Sequence, residues 1–173
     1  MNDFTIIKAS LGDLPALRSI AVATFLDAFA DANSPENMQS YIDHNFSLEG
    51  MTMELQNPDS SFFLALHGSD IVGYAKVNSG NAQTELKEPQ GMELERIYVI
   101  RPFWGKGVAD LLCSHAIHLA RESGKSYLWL GVWEQNHRAI RFYEKHGFKA
   151  FSSHNFVLGN DVQTDLMLKL DLS

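Results

Sequence analysis

At 173 residues with 45% hydrophobic content, the chain is long enough to bury one sizeable core, and a single domain over 1–173 is expected. A formal net charge of −7, with lysines and arginines scattered, argues against nucleic-acid binding and gives a negative field that attracts cations, although acidity is also common among cytosolic proteins. Met1, Asn2 and Asp3 open no basic leader, no apolar run reaches membrane-spanning length, and the lone Cys113 permits no internal disulfide, so a cytoplasmic protein free of membrane contact is expected.

Phe4 to Lys8 alternates as a strand. Asp13 is placed to cap a helix that presents Leu14, Leu17, Ala21, Phe25 and Ala28 on one face. Asp31 to Pro35 breaks it, a second helix runs from Pro35 to near Phe46, and a third from Leu48 to Gln56 ends before Pro58. Phe62 to His67 and Ile71 to Asn78 form a hairpin about Gly68, Ser69 and Asp70. The polar stretch Ser79 to Gln90, with Gly80, Asn81 and Pro89, predicts a mobile loop.

The next segment carries the most information. The apolar strand Ile97, Tyr98, Val99, Ile100 breaks into Trp104, Gly105, Lys106, Gly107, Val108 and Ala109, which open a helix. Backbone N–H groups delivered to a helix N-terminus form an anion site, and the glycines admit unusual dihedrals and close ligand approach. Asp110 stands where the dinucleotide fingerprint needs its third glycine, and Lys106 is followed by Gly107 rather than by Ser or Thr, which excludes both that fingerprint and the nucleoside-triphosphate loop.

Val108, Leu111, Leu112, His115, Leu119 and Ala120 recur at helical spacing, with Cys113 read as a buried thiol. A strand from Tyr127 to Val132 follows, then a helix that Asn136 can cap, with Tyr143 two turns along the same face and Gly147 as its stop. Strands near Lys149 to Leu158 and Gln163 to Leu170 close an α/β order, a mixed sheet covered by helices. His115 and His118 lack the partners of a zinc motif, so no metal is expected.

Glu93 to Phe148 resembles the GNAT superfamily of acyl-CoA-dependent N-acetyltransferases, whose loop pattern falls on Trp104, Gly107 and Ala109. Trp104 departs from that pattern, which has Gln or Arg there, and so shifts diphosphate contacts to backbone amides and Lys106. The resemblance implies a mostly antiparallel central sheet flanked by helices, acetyl-CoA as cosubstrate, and a pantetheine arm along the backbone of Ile97, Tyr98 and Val99. It also implies a pantetheine contact at Asn136 and a general acid at Tyr143. Asn136 also reads as a plain N-cap, and Arg138 as a phosphate contact or a solvated charge. Pro35 to Met38, Leu94 to Val99, Leu130 to Glu134 and Gln163 to Leu166 look like the PaiA-type branch, associated with spermidine and spermine.

A primary ammonium with a pKa of about 10.4 is neutral in roughly one molecule in a thousand at pH 7, so its deprotonation needs help. Glu93 and Glu95 alternate onto one strand face, which Ile97 and Val99 continue. Glu95 or a water it orients is the preferred base, with Glu93 in reserve, against the alternative that either only pairs with Arg96. Tyr143 is the proton donor to the leaving thiolate, or else a core tyrosine beside Phe142. Phe25, Phe29, Asp27, Asp31, Tyr41 and Trp133 are candidates for binding the cation. The partner is then a small-molecule amine: a polyamine, or alternatively a protein N-terminus, amino acid or aminoglycoside. A non-catalytic acyl-CoA-binding regulator is the third reading, and a homodimer is allowed.

Overall fold

A computed structural model of the chain describes residues 3–172, except the side chain of residue 156; Met1 and Asn2, the start of the sequence read for a leader, lie outside them. Strand β1 (Phe4–Lys8) leads into helices α1 (Leu14–Phe29), α2 (Pro35–Asn45) and α3 (Leu48–Gln56). Then come β2 (Ser60–His67), β3 (Asp70–Ser79), β4 (Gly91–Val99) and α4 (Val108–Glu122). The chain closes with β5 (Tyr127–Trp133), α5 (His137–Lys145), β6 (Lys149–Leu158) and β7 (Asp161–Asp171).

Helices α2 and α3 start where serine hydroxyls accept first-turn amides, Ser34 from Asn37 N–H and Ser47 from Gly50 N–H. Asp13 does not cap α1 as expected. Its carboxylate reaches back 2.8 Å to Ser10 N–H and closes a short 3-10 turn, so α1 begins without a side-chain cap.

The strands form one seven-stranded sheet in the order β1-β2-β3-β4-β5-β7-β6. Every neighbouring pair is antiparallel except β4 with β5, which the crossover through α4 makes parallel. One face packs under α4 with Leu94, Leu112, Cys113, Ala116 and Leu130 buried; the other packs under α1 to α3 with Leu17, Ala21, Phe25, Met51 and Tyr74. Burial pushes the Cys113 thiol up to about 12, which leaves it an inert core atom.

A bulge on β4 changes the expected face assignment. Lys76 pairs with Arg96 and Val77 with Leu94, so Glu95 is the extra residue. The alternation reverses there: Ile97 and Val99 join Leu94 on the α4 face, while Tyr98 packs on the opposite face. Ile97 and Val99 therefore do not continue the face of Glu93 and Glu95.

The connection from Ser79 to Gln90 is tied down rather than loose. Gln83 donates to the carbonyls of Gly80 and Glu88 and accepts the Trp129 indole N–H at 2.7 Å, while the Tyr127 hydroxyl donates to Glu88 at 2.6 Å. Among the described residues no helix is long and apolar enough to cross a membrane.

Gly73 faces Val99 across the β3–β4 ladder, and a Cβ there would lie 2.9 Å from the Tyr98 carbonyl oxygen and 3.3 Å from Leu112 and Val108. Backbone on one side and a packed helix on the other leave no route of relief. Gly73→Ala should cost about 1–3 kcal/mol, read as a lowered urea midpoint at unchanged slope.

Candidate active site

β4 and β5 pair at Gly91–Tyr127, Met92–Leu128 and Glu93–Trp129, and then separate. Beyond Glu93, β4 stays with β3 and β5 stays with β7, leaving the inner edge of β4 without a ladder partner. Ile100 N–H donates to Val72 O on β3, so by alternation the amides of Ile97 and Val99 point into the cleft while those of Tyr98 point to β3. The cleft opens into a cavity of about 650 Å³.

At one end stands the glycine turn. Gly105 and Gly107 have φ of 74° and 87°, which only glycine adopts freely, and Gly107 is the N-cap of α4. Val108 is buried as the turn's anchor, Ala109 lines the cavity, and Lys106 lies over the Phe103 ring. Trp104 replaces the polar side chain with a different function: its indole N–H donates 2.7 Å to Val99 O, the cleft-facing carbonyl. Its ring also carries the guanidinium groups of Arg138 at 4.3 Å and Arg101 at 5.2 Å, gathering positive charge beside the turn. These groups, the helix N-terminus and the free edge amides fit a diphosphate on an amide-bearing arm.

Asn136 and Tyr143 line the cavity from the opposite wall. The Asn136 side-chain oxygen accepts Ala139 N–H at 3.2 Å, so the residue caps α5 as well. Tyr143 packs edge-on against Phe142 and Phe148, and burial raises its phenol far above the ordinary value.

The two glutamates have distinct surroundings. Glu95 belongs to a buried ion cluster: Lys76 Nζ lies 2.6 Å from its carboxylate and 2.8 Å from that of Glu54, and Arg96 approaches both. Burial alone would raise the Glu95 carboxyl, but Arg96 and Lys76 outweigh it and hold the group below its ordinary value. Glu93 is 3% exposed and accepts Asn78 Nδ2 at 3.0 Å, Thr84 N–H at 2.8 Å and Thr84 Oγ1 at 2.5 Å. Its carboxyl is raised because desolvation exceeds those hydrogen bonds.

Phe25, Phe29, Tyr41 and Trp133 come together as an aromatic wall, with Phe25 stacked on Tyr41 at 4.4 Å and Phe29 at 6.0 Å from Trp133. Asp27 lines the cavity too. Asp31 lies past the end of α1 in a 3-10 turn, exposed and outside the lining. Sequence reasoning missed Lys76, Glu85, His154 and Asp165; a lysine inside the apolar run Tyr74–Val77 was the one available signal of a buried charge. Among the described residues no three His, Cys, Asp or Glu side chains gather as a metal set.

Removing one member of the ion cluster strands the rest. Lys76→Met should cost about 3–5 kcal/mol in denaturant unfolding, because two partly buried carboxylates keep only the more distant Arg96 as counter-ion. The Glu95 contribution to wild-type stability is present above the ordinary carboxylate range and is lost as pH falls through the lowered folded value, so Glu95→Gln should reduce the acid sensitivity of the melting temperature.

Residues 15–148 match the Acetyltransferase (GNAT) family. An uncharacterized N-acetyltransferase in the pepI 3′ region of Lactobacillus delbrueckii subsp. lactis is 39% identical over 169 residues, which cover 98% of each chain. The spermidine N(1)-acetyltransferase of Thermoplasma acidophilum is 27% identical over 148 residues, 82% of this chain and 86% of its own. The fold superposes on the crystal structure of the PaiA N-acetyltransferase from Thermoplasma acidophilum in complex with coenzyme A at a TM-score of 0.80, covering 97% of this chain and 98% of that one at 24% identity. With the match running from α1 past the end of α5, and a full-length relative at this identity, the chain belongs to the GNAT acetyltransferase family, enzymes that move an acetyl group from acetyl-CoA to an amine.

Proposed function

We propose that the acceptor is a primary amine of a polyamine such as spermidine or spermine. The observation that carries this reading is the composition of the cavity beyond the cofactor end: an aromatic wall faces Asp27, Glu85, Glu93, Glu95 and Asp165 in one space. Aromatic faces and dispersed carboxylates suit a flexible chain with several ammonium groups better than a single-charge amine. The overall charge of −7 supports it, as does the relative named for spermidine acetylation.

In this reading Ile97 and Val99 offer edge amides to the pantetheine arm, Asn136 meets it from the other side, and the turn amides with Lys106 and Arg138 hold the diphosphate. Acetyl-CoA supplies the thioester. Burial keeps the Tyr143 phenol protonated, so a proton donor stands in the cavity wall for the leaving sulfur. Glu93, which meets Asn78 and Thr84 rather than a cation, draws the ammonium, while Glu95 shares its charge with Lys76 and Arg96.

Free-thiol release from acetyl-CoA with spermidine, spermine, an amino acid, a peptide N-terminus and an aminoglycoside tests the acceptor. The two polyamines should give the highest kcat/KM; preference for another amine, or no release with any, overturns the assignment. Tyr143→Phe should lower kcat by about 10²–10⁴ without changing acetyl-CoA affinity. Trp104→Ala should weaken acetyl-CoA binding in calorimetry while the turnover of saturated enzyme stays near wild type, because the indole organises the arginines and the edge without touching the acceptor.

A further inference from the structure

The glutamates of β4 are already engaged, Glu95 by Lys76 and Glu93 by Asn78 and Thr84, and the far side of the cleft holds another carboxylate. Trp133 on β5 pairs with Asp165 on β7, and Asp165 pairs with His154 on β6, so the three residues share one sheet face. His154 Nε2 lies 3.6 Å from Asp165 Oδ2, and its Nδ1 lies 3.2 Å from Glu85 on the β3–β4 connection. Side-chain exposure rises along this line, from 15% at Asp165 through 24% at His154 to 41% at Glu85. Asp165, His154 and Glu85 line the same cavity as Tyr143 and Glu95.

Register brings the pair level with the expected site of attack. Gly131 stands two residues beyond Trp129, as Glu95 stands two beyond Glu93, the last pair before the strands part. A Cβ on Gly131 would lie 3.3 Å from His154 Cε1 and 3.4 Å from Asp165 Oδ2, so the missing side chain is what lets the pair settle over the lip of the cleft.

We propose that Asp165 is the catalytic base that takes the first proton from the acceptor ammonium, and that His154, which lies between Asp165 and Glu85, is a positioning residue. The step balances: the N–H bond breaks, its electron pair stays on nitrogen, and Asp165 gains the proton. Asp165 then gives that proton up to solvent. The nitrogen's second proton ends on the thiol. Burial lifts the Asp165 carboxyl to about 6 against the opposing effect of His154, with Glu85 adding to the rise, and a base near working pH is a better acceptor than an ordinary carboxylate. Besides these, the titratable groups lining this space are Asp27 on α1, Tyr41 on α2, Glu93, Glu95, Arg96 and Tyr98 on β4, and Arg138 and Tyr143 on α5.

The inference rests on the acetyltransferase activity and not on the polyamine assignment. With whichever panel amine the wild type turns over fastest, kcat/KM should rise with pH along a limb near pH 6. Asp165→Asn should abolish that limb and lower kcat about 10²–10³-fold, with acetyl-CoA affinity unchanged, and Asp165→Glu should recover part of the loss. His154→Gln should shift the limb, and Gly131→Ala, which displaces the pair, should lower kcat more than it raises KM. A limb and rate within threefold of wild type in Asp165→Asn would overturn the proposal. Carboxyl NMR titration provides a substrate-free reading that stands even if the acceptor assignment fails: Asp165 should titrate near pH 6 and shift in His154→Gln, and an ordinary carboxylate titration independent of His154 would equally overturn it.

Discussion

The parting of β4 from β5 after a single short ladder is the constraint on which the molecule's chemistry depends. Each strand keeps a full partner on its outer side, β3 for β4 and β7 for β5, so the inner edges can stay apart without unravelling the sheet. The bulge at Glu95 falls just past the last shared pair and turns β4 as it leaves its neighbour. Unpaired amides inside a sheet are tolerable only when something polar meets them, and here the opening is a cavity lined by charged and hydrogen-bonding groups.

Around that opening the protein sorts its carboxylates by environment. Glu54 and Glu95 are balanced by Lys76 and Arg96, with Lys76 also over the Phe62 ring and Arg96 over the Phe46 ring, so the four charges sum to zero within an apolar setting. Glu93 meets hydrogen-bond donors, Asn78 and Thr84, rather than a cation. Asp165 has the His154 imidazole beside it, with Glu85 and Tyr41 farther off. Three carboxylates in one cavity thus differ in proton affinity because each has a different counterpart, which is how one fold can hold a cation and also accept a proton.

Much of this was legible in the sequence. Period and punctuation placed every helix and strand within a few residues, because Pro35, Pro58, the Gly68 turn and Gly147 act locally. The glycine loop and the aromatic wall were legible for the same reason. The rest depended on distant pairings. One extra residue in β4 leaves no mark on composition, so the reversal of Ile97 and Val99 could not be seen. Insertion of β7 between β5 and β6 brings Asp165 beside Trp133 and His154, and that adjacency exists only once the sheet is assembled. Trp104 read as the loss of a polar group, yet its indole N–H is a donor that reaches Val99. Asp27 and Asp31 differ by one turn, and the end of α1 at Phe29 separates them.

The short β4–β5 ladder also divides the sheet into two blocks, β1 to β4 and β5 to β6, whose backbones are joined by three residue pairs. A ligand whose amides lie along Ile97 and Val99 replaces the strand contact that the parting removed. Such a ligand would act as a temporary element of the fold, and its binding would strengthen the seam between the two blocks by mass action.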